Sequence, residues 1–323
     1  MERLLDQPGI ISRPMASRLP RPFRGVISAP FMPMNEDESI DWASLERYID
    51  WVASQRPAAI AVNMDAAEAP ALTSQERLDV LRRCVRVIDG RAPVISGLIG
   101  GSTAGMIRHG LELVAEGAEG FCVFPPLPVF IGSPISAEMI GRFHGEIGAA
   151  LDRPLIAFQF PRGWGPDYSG EMLTALAEIP QVIAIKESSF DANQTIQTVH
   201  AVAALDNPIG VLTGSDTFIF EAMLMGCGGA LIGFAGTAVA ELVAMQDAVH
   251  AGELQRAKEI WDRLGPIARF CWRAPIRDFR PRMKELLVMQ GLIRTASVRR
   301  PQLGITAHER EELRRLAATA GLI

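Results

Sequence analysis

The chain has 323 residues, 48% hydrophobic and 21% charged, which is the balance of a soluble globular protein with one large domain or two ordinary ones. A net charge of −5 offers no basic footprint for nucleic acid. The four cysteines, Cys84, Cys122, Cys227 and Cys271, form no C-x-x-C pair and read as reduced, mostly buried thiols of a cytoplasmic protein.

Residues 1–24 carry Glu2, Asp6 and several arginines and prolines. They lack the apolar core of a signal peptide and read as a loose N-terminal extension. Eight short apolar runs follow: Gly25–Phe31, Ala59–Asn63, Pro93–Ile99, Gly120–Pro125, Pro154–Phe160, Val182–Glu187, Ile209–Asp216 and Gly229–Phe234. Their length and unbroken hydrophobicity suit strands buried on both faces, as in a parallel sheet. Amphipathic stretches lie between them. Leu45, Ile49 and Val52 share one helical face, as do Leu78, Leu81, Val85 and Ile88, and then Ile107, Leu111 and Val114. The second of these helices opens on Thr73-Ser74-Gln75-Glu76, a capping-box pattern. The third starts after Ser102 and stops at Gly117.

Ala222–Ala240 contains no charged residue and reaches the length of a membrane helix. Its glycines at 226, 228, 229, 233 and 236 weaken any continuous helix. The segment therefore reads as helix, turn, buried strand and the start of another helix, and no membrane partner is expected. Residues 252–323 are rich in Leu, Arg, Glu and Ala and predict about three helices, packed on the preceding domain or on a neighbouring subunit.

Eight strands, each followed by a helix, is the count of a (β/α)₈ TIM barrel over residues 25–251, with a C-terminal helical region over 252–323. A doubly wound open sheet is the alternative, but no Gly-rich dinucleotide turn follows the first strand. In a barrel the active site lies at the C-terminal ends of the strands. The polar residues there are Asn63, Asp65, Gln159, Arg162, Lys186, Glu187, Ser188, Ser215 and Asp216. Lys186 ends Val182-Ile183-Ala184-Ile185, a strand whose alternate residues point into the barrel. Burial disfavours its cation, and a neutral amine is what attack on a ketone requires. A structural lysine paired with a carboxylate is the competing explanation from position alone.

Several segments carry a resemblance. They are Gly25-Val26-Ile27-Ser28-Ala29, Glu68-Ala69-Pro70-Ala71-Leu72-Thr73, Ile185-Lys186-Glu187-Ser188-Ser189, Leu212-Thr213-Gly214-Ser215-Asp216 with Gly226-Cys227-Gly228-Gly229, and Arg299-Arg300-Pro301 before the last helix. In order and spacing the chain resembles the dihydrodipicolinate synthase / N-acetylneuraminate lyase family from about Arg24 onward. The resemblance implies a Schiff base between Lys186 and a 2-oxo acid such as pyruvate. It implies substrate contacts at Ala66, Phe158, Arg162, Gly214 and Asp216, and a homo-oligomer, dimer or tetramer. No cofactor is implied.

The family's proton relay is altered. Its tyrosine at the end of the fifth strand corresponds to Phe158, and a benzene ring transfers no proton. Its Gly-Thr-Thr-Gly-Glu corresponds to Met64-Asp65-Ala66-Ala67-Glu68, and Leu127 lies where a further tyrosine is common. Tyr48 and Tyr168 are the two tyrosines of the chain. Tyr168 contributes only if its loop folds inward. Asp65 occupies a relay threonine's place and is the candidate acid/base, with a loop cap as its other reading. Arg162 is the candidate carboxylate anchor. Trp164, Phe158, Phe160, Leu127 and Phe190 suggest a substrate with an apolar portion.

The five histidines show no metal-binding spacing and read mostly as surface residues of outer helices, so no metal is expected. No phosphate loop and no Gly-x-Ser-x-Gly elbow is present. The leading expectation is a Schiff-base lyase of the aldolase or dehydratase type. The alternative is a barrel that binds an organic acid without turnover.

Overall fold

The computed structural model describes residues 18–125, 135–160, 168 and 170–323. All eight predicted strands form, and they close into one parallel barrel in sequence order, with β8 pairing back to β1. The open-sheet alternative is thereby set aside. The strands are β1 (Gly25–Ser28), β2 (Ala59–Val62), β3 (Val94–Leu98), β4 (Gly120–Val123), β5 (Leu155–Gln159), β6 (Val182–Glu187), β7 (Gly210–Thr213) and β8 (Gly229–Ile232). Nearly every strand residue is buried, as unbroken apolar runs in a helix-covered parallel sheet require.

The helices between them are α1 (Trp42–Ser54), α2 (Ser74–Ile88), α3 (Thr103–Ala115), α4 (Ala137–Leu151), α5 (Glu171–Ala177), α6 (Ala192–Ala203), α7 (Ile219–Leu224) and α8 (Val239–His250). The expected capping box at α2 is present. The Glu76 N–H donates to Thr73 Oγ1 at 3.1 Å, and the Thr73 N–H donates to the Glu76 carboxylate at 2.8 Å. Ser102 caps α3, and Gly117 follows it at φ +100°. The charge-free stretch 222–240 resolves into the end of α7, a turn, β8 and the start of α8. Among the described residues no helix is long and apolar enough to cross a membrane.

Three expectations are corrected. The buried stripe of α3 is Met106, His109, Gly110 and Leu113, whereas Leu111 is 49% exposed. The cause is close approach by α4, since a Cβ on Gly110 would meet Leu151 at 2.7 Å. His109 and His144 are buried rather than superficial. His144 Nδ1 donates to the Ile140 carbonyl within α4 at 3.0 Å, and burial pulls its imidazole down to about 4, so it is neutral. Finally, residues 18–24 are tied down under the barrel. Leu19 and Phe23 are buried, the Phe23 N–H donates to the Ile183 carbonyl at 3.1 Å, and Arg18 pairs with Glu119.

The C-terminal region supplies α9 (Leu254–Cys271), α10 (Phe279–Met289) and α11 (Ala307–Thr319). They pack on the barrel through specific polar joints. Trp261 Nε1 donates to Glu221 of α7 at 3.1 Å, and Arg294 pairs with Asp41 at 2.7 Å. Lys284 of α10 is buried against Glu68, just after β2, and it also donates to the Ser297 carbonyl at 2.7 Å. The second Glu68 oxygen accepts the Arg299 N–H at 2.9 Å. Arg299 in turn pairs with Glu76, so the tail is strapped across the loop after β2.

Candidate active site

At the C-terminal mouth of the barrel a cavity of about 200 Å³ opens. Lys186 reaches it because of strand alternation. Lys186 pairs with Phe158 across β5 and β6, and both point inward. The next residue, Glu187, points outward and is fully satisfied. It accepts from Gln159 Nε2 at 3.0 Å, the Ser189 N–H at 2.9 Å and Thr195 Oγ1 at 2.5 Å. This buried carboxylate locks the end of β6 to β5 and α6, which fixes where the lysine leaves the strand.

The Lys186 amine lies 3.9 Å from the centre of the Phe158 ring. Phe158 is itself wedged by Phe124 at 4.9 Å and Phe160 at 4.5 Å between ring centres. Burial lowers the lysine from its ordinary value, opposed by the nearest acidic groups, Cys122, Asp216 and Asp65. Gly214 forms the facing wall. A Cβ there would lie 1.8 Å from Ser188 Oγ and 2.9 Å from Lys186 Cε, so only glycine lets the β7 end approach the lysine this closely.

Asp216 lines the same cavity and is buried. Its Oδ1 accepts the Phe234 N–H at 2.8 Å. Burial pushes its carboxyl up to about 7, against the pull of that N–H and of Lys186. Asp65 also reaches the cavity, where it opens a 3₁₀ turn with Ala66. Its carboxylate is taken up by Arg280 at 2.6 Å, and Arg280 Nε also donates to the Asp65 carbonyl at 2.9 Å. The structure therefore brings together Lys186, Asp65, Ala66, Phe158, Gly214 and Asp216. Arg162, Trp164 and Leu127 lie outside the described residues.

Tyr168 does fold inward and is fully buried, but it does not line the cavity. Its N–H donates to Gln159 Oε1 at 3.0 Å, and its ring stands 6.2 Å from that of His144, which puts it between β5 and α4. Tyr48 is buried too, with its hydroxyl donating to the Gly236 carbonyl at 2.8 Å.

Two groups of site residues escaped the sequence reading. Ser188 was visible at a strand end but received no role. Its hydroxyl is buried, lines the cavity and has no hydrogen-bond partner. The second group comes from beyond the barrel: Trp272, Ile276, Arg277, Phe279 and Arg280 close one side of the cavity. Trp272 and Phe279 stack at 5.2 Å with 19° between their planes, and Arg280 lies over Phe279 at 4.5 Å. Gly233, after β8, permits this approach, because a Cβ there would meet the Trp272 indole at 3.2 Å. Aromatic residues in an amphipathic tail were the available signal, but nothing local says which end of the barrel they reach. Among the described residues no cluster of three or more His, Cys, Asp or Glu suits a metal ion.

Comparison with known proteins bears on the family and the fold. The sequence model of the Dihydrodipicolinate synthetase family matches residues 22–320. The chain is 28% identical to 4-hydroxy-tetrahydrodipicolinate synthase of Dichelobacter nodosus over 93% of its own length and 98% of that protein's. It is 31% identical to the same-named enzyme of Sphingopyxis alaskensis over 75% of its length and 80% of that protein's. Among solved structures, the chloride-inhibited dihydrodipicolinate synthase of Acinetobacter baumannii, complexed with pyruvate, superposes with a TM-score of 0.82 at 27% identity, covering 93% of this chain and 99% of that one. The Thermotoga maritima dihydrodipicolinate synthase reaches a TM-score of 0.83 at 23% identity, with 94% and 100% covered. The chain belongs to the Dihydrodipicolinate synthetase family.

Proposed function

We propose that the protein is a Schiff-base lyase acting on a 2-oxo acid, with Lys186 as nucleophile and a proton relay different from the family's tyrosine and threonines. One observation carries the reading: a buried lysine ends β6 inside a cavity with a buried carboxyl group of near-neutral pKa, Asp216, beside it. The neutral Lys186 amine adds to the carbonyl carbon, and loss of water leaves an iminium that draws electrons from the adjacent carbon. Proton carriers are then needed at that carbon and at the departing oxygen.

Phe158 carries none. Asp216 does, since a group titrating near neutral pH both gives and accepts protons. The unpartnered Ser188 hydroxyl lies against Gly214 and next to the lysine, a second carrier in place of the missing threonine. Asp65, the candidate from sequence, is given a positioning role: its carboxylate holds Arg280 at the mouth. Ala66 and Gly214 form the walls between which the carboxylate end of the substrate lies.

Borohydride reduction in the presence of pyruvate, followed by peptide mass spectrometry, tests the proposal. A reduced adduct on Lys186 is expected. Absence of an adduct with any of a panel of 2-oxo acids overturns it. Full ligand affinity in Lys186→Ala would instead favour a barrel that binds an organic acid without imine chemistry.

A further inference from the structure

The wall contributed by the C-terminal region has its own chemistry. Trp272 and Phe279 present a stacked pair of rings to the cavity, with Phe31 edge-on to Phe279 at 6.1 Å. Phe160 and Phe190 line the same space from the barrel loops. The charges at this mouth are already matched: Arg280 pairs with Asp65, and Arg277 lies 3.2 Å from Asp278. Among the described lining residues, Lys186 is thus the cation without a carboxylate at ion-pair distance. A substrate with a charged distal end finds no partner on this wall, whereas a flat apolar group finds rings on several sides.

Phe190 adds an independent observation. Its φ is +55°, the left-handed region that a bulky residue occupies only under strain. Ser215 Oγ holds that backbone by accepting the Phe190 N–H at 3.1 Å. Glycine or asparagine satisfies such a turn with less strain, yet an aromatic ring stands there and lines the cavity.

We infer that the site selects a 2-oxo acid whose fourth carbon bears an aryl group, with Trp272, Phe279 and Phe190 as the specificity-determining residues. This rests on the lyase reading above and sharpens it. The reaction is the reversible cleavage of a 4-aryl-4-hydroxy-2-oxo acid to pyruvate and an aryl aldehyde. Lys186 displaces the 2-oxo oxygen as water to give the iminium. The 4-hydroxyl proton passes to a base, the C3–C4 bond breaks with its electron pair moving into the enamine, and the aldehyde leaves. Protonation of C3 and hydrolysis of the imine release pyruvate and restore the amine, with no net oxidation or reduction.

The test uses the full chain and is independent of turnover. Cinnamate and crotonate, which differ by a phenyl in place of a methyl group, are compared as protectants of Lys186 against borohydride trapping with pyruvate. Burial of the extra ring predicts half-protection by cinnamate at a concentration roughly 30-fold lower. In Phe190→Gly that ratio falls several-fold, each acid's protection being scored against trapping by pyruvate alone in the same variant, so that a general change in the site cancels from the ratio. Equal protection by the two acids, no protection by cinnamate, or an unchanged ratio in Phe190→Gly overturns the aryl assignment while leaving the lyase reading standing. Failure of pyruvate itself to trap on Lys186 overturns the lyase reading instead.

Discussion

The amine of Lys186 sits 3.9 Å above the ring of Phe158. The contact pulls in the opposite direction to burial. An ammonium is favoured by a ring face, by about 0.5–2 kcal/mol, whereas desolvation favours the neutral amine. Phe158→Leu removes the first effect and keeps the second, so the lysine pKa falls. The pH midpoint of imine trapping with pyruvate is expected to move lower, by about one pH unit at most. A midpoint that rises would show that the ring does not stabilise the cation.

Asp216 predicts a pH-dependent stability. Its carboxyl is raised from 3.8 to about 7 in the folded protein. Between those values the folded state keeps a proton that the unfolded state has lost, so the wild type loses stability as pH rises through that window. Asp216→Asn has no such slope and still offers an oxygen to the Phe234 N–H. The variant is expected to melt like wild type near pH 4 and above it at pH 7 and beyond, by roughly a few kcal/mol in stability at most. Turnover should drop about 10²–10⁴-fold while borohydride trapping persists. Parallel melting curves across the pH range would remove Asp216 as a strained acid.

Gly214→Ala tests the close wall. The added methyl would overlap Ser188 Oγ and press on Lys186 Cε. A loss of about 1–3 kcal/mol in stability is expected, with trapping slowed at least tenfold. Adding Ser188→Gly in the same chain should recover part of the stability and little of the trapping, because the lysine contact remains. Chemical denaturation and single-turnover trapping measure the two effects separately.

The buried pair of Lys284 and Glu68 predicts a contrast between breaking and replacing. Lys284→Met leaves the Glu68 carboxylate with only the Arg299 N–H and is expected to cost about 3–5 kcal/mol. The double variant Lys284→Met, Glu68→Leu removes both charges and should recover much of that loss. Denaturation midpoints of the two variants and wild type decide the matter. A double variant no better than the single one would show that the strap, rather than the charge, is what matters.

How much of this was legible in the sequence differs by residue. The strands were, because a parallel sheet buried on both faces demands continuous apolar runs, and β1 to β8 have them. Lys186 and Asp216 were legible as strand-end residues of a barrel, and Gly214 only through the family resemblance. The buried face of α3 was not, since it runs through Gly110, which admits Leu151, and through His109, whose ring bonds to Arg77 and Glu112. Neither looks apolar in sequence. The partner of Asp65 was hidden for another reason. Arg280 lies 215 positions away along the chain, and only the packing of α10 on the barrel brings them together. Likewise Trp272 and Phe279 read as ordinary helix-terminal aromatics until the tail is placed over β8.

That placement gives the chain a division of labour along its length. Lys186 and Phe190 are encoded within the barrel, and Trp272 and Phe279, which line the same cavity, are encoded after the barrel has closed. A crossover near Gly252 between two members of this family would exchange Trp272 and Phe279 and keep Lys186 and Phe190, but it would also part Glu68 from Lys284 and Asp65 from Arg280. Under the function proposed above, part of the selectivity is inherited with the tail, and it travels only with a tail whose Lys284 and Arg280 still meet the barrel's carboxylates.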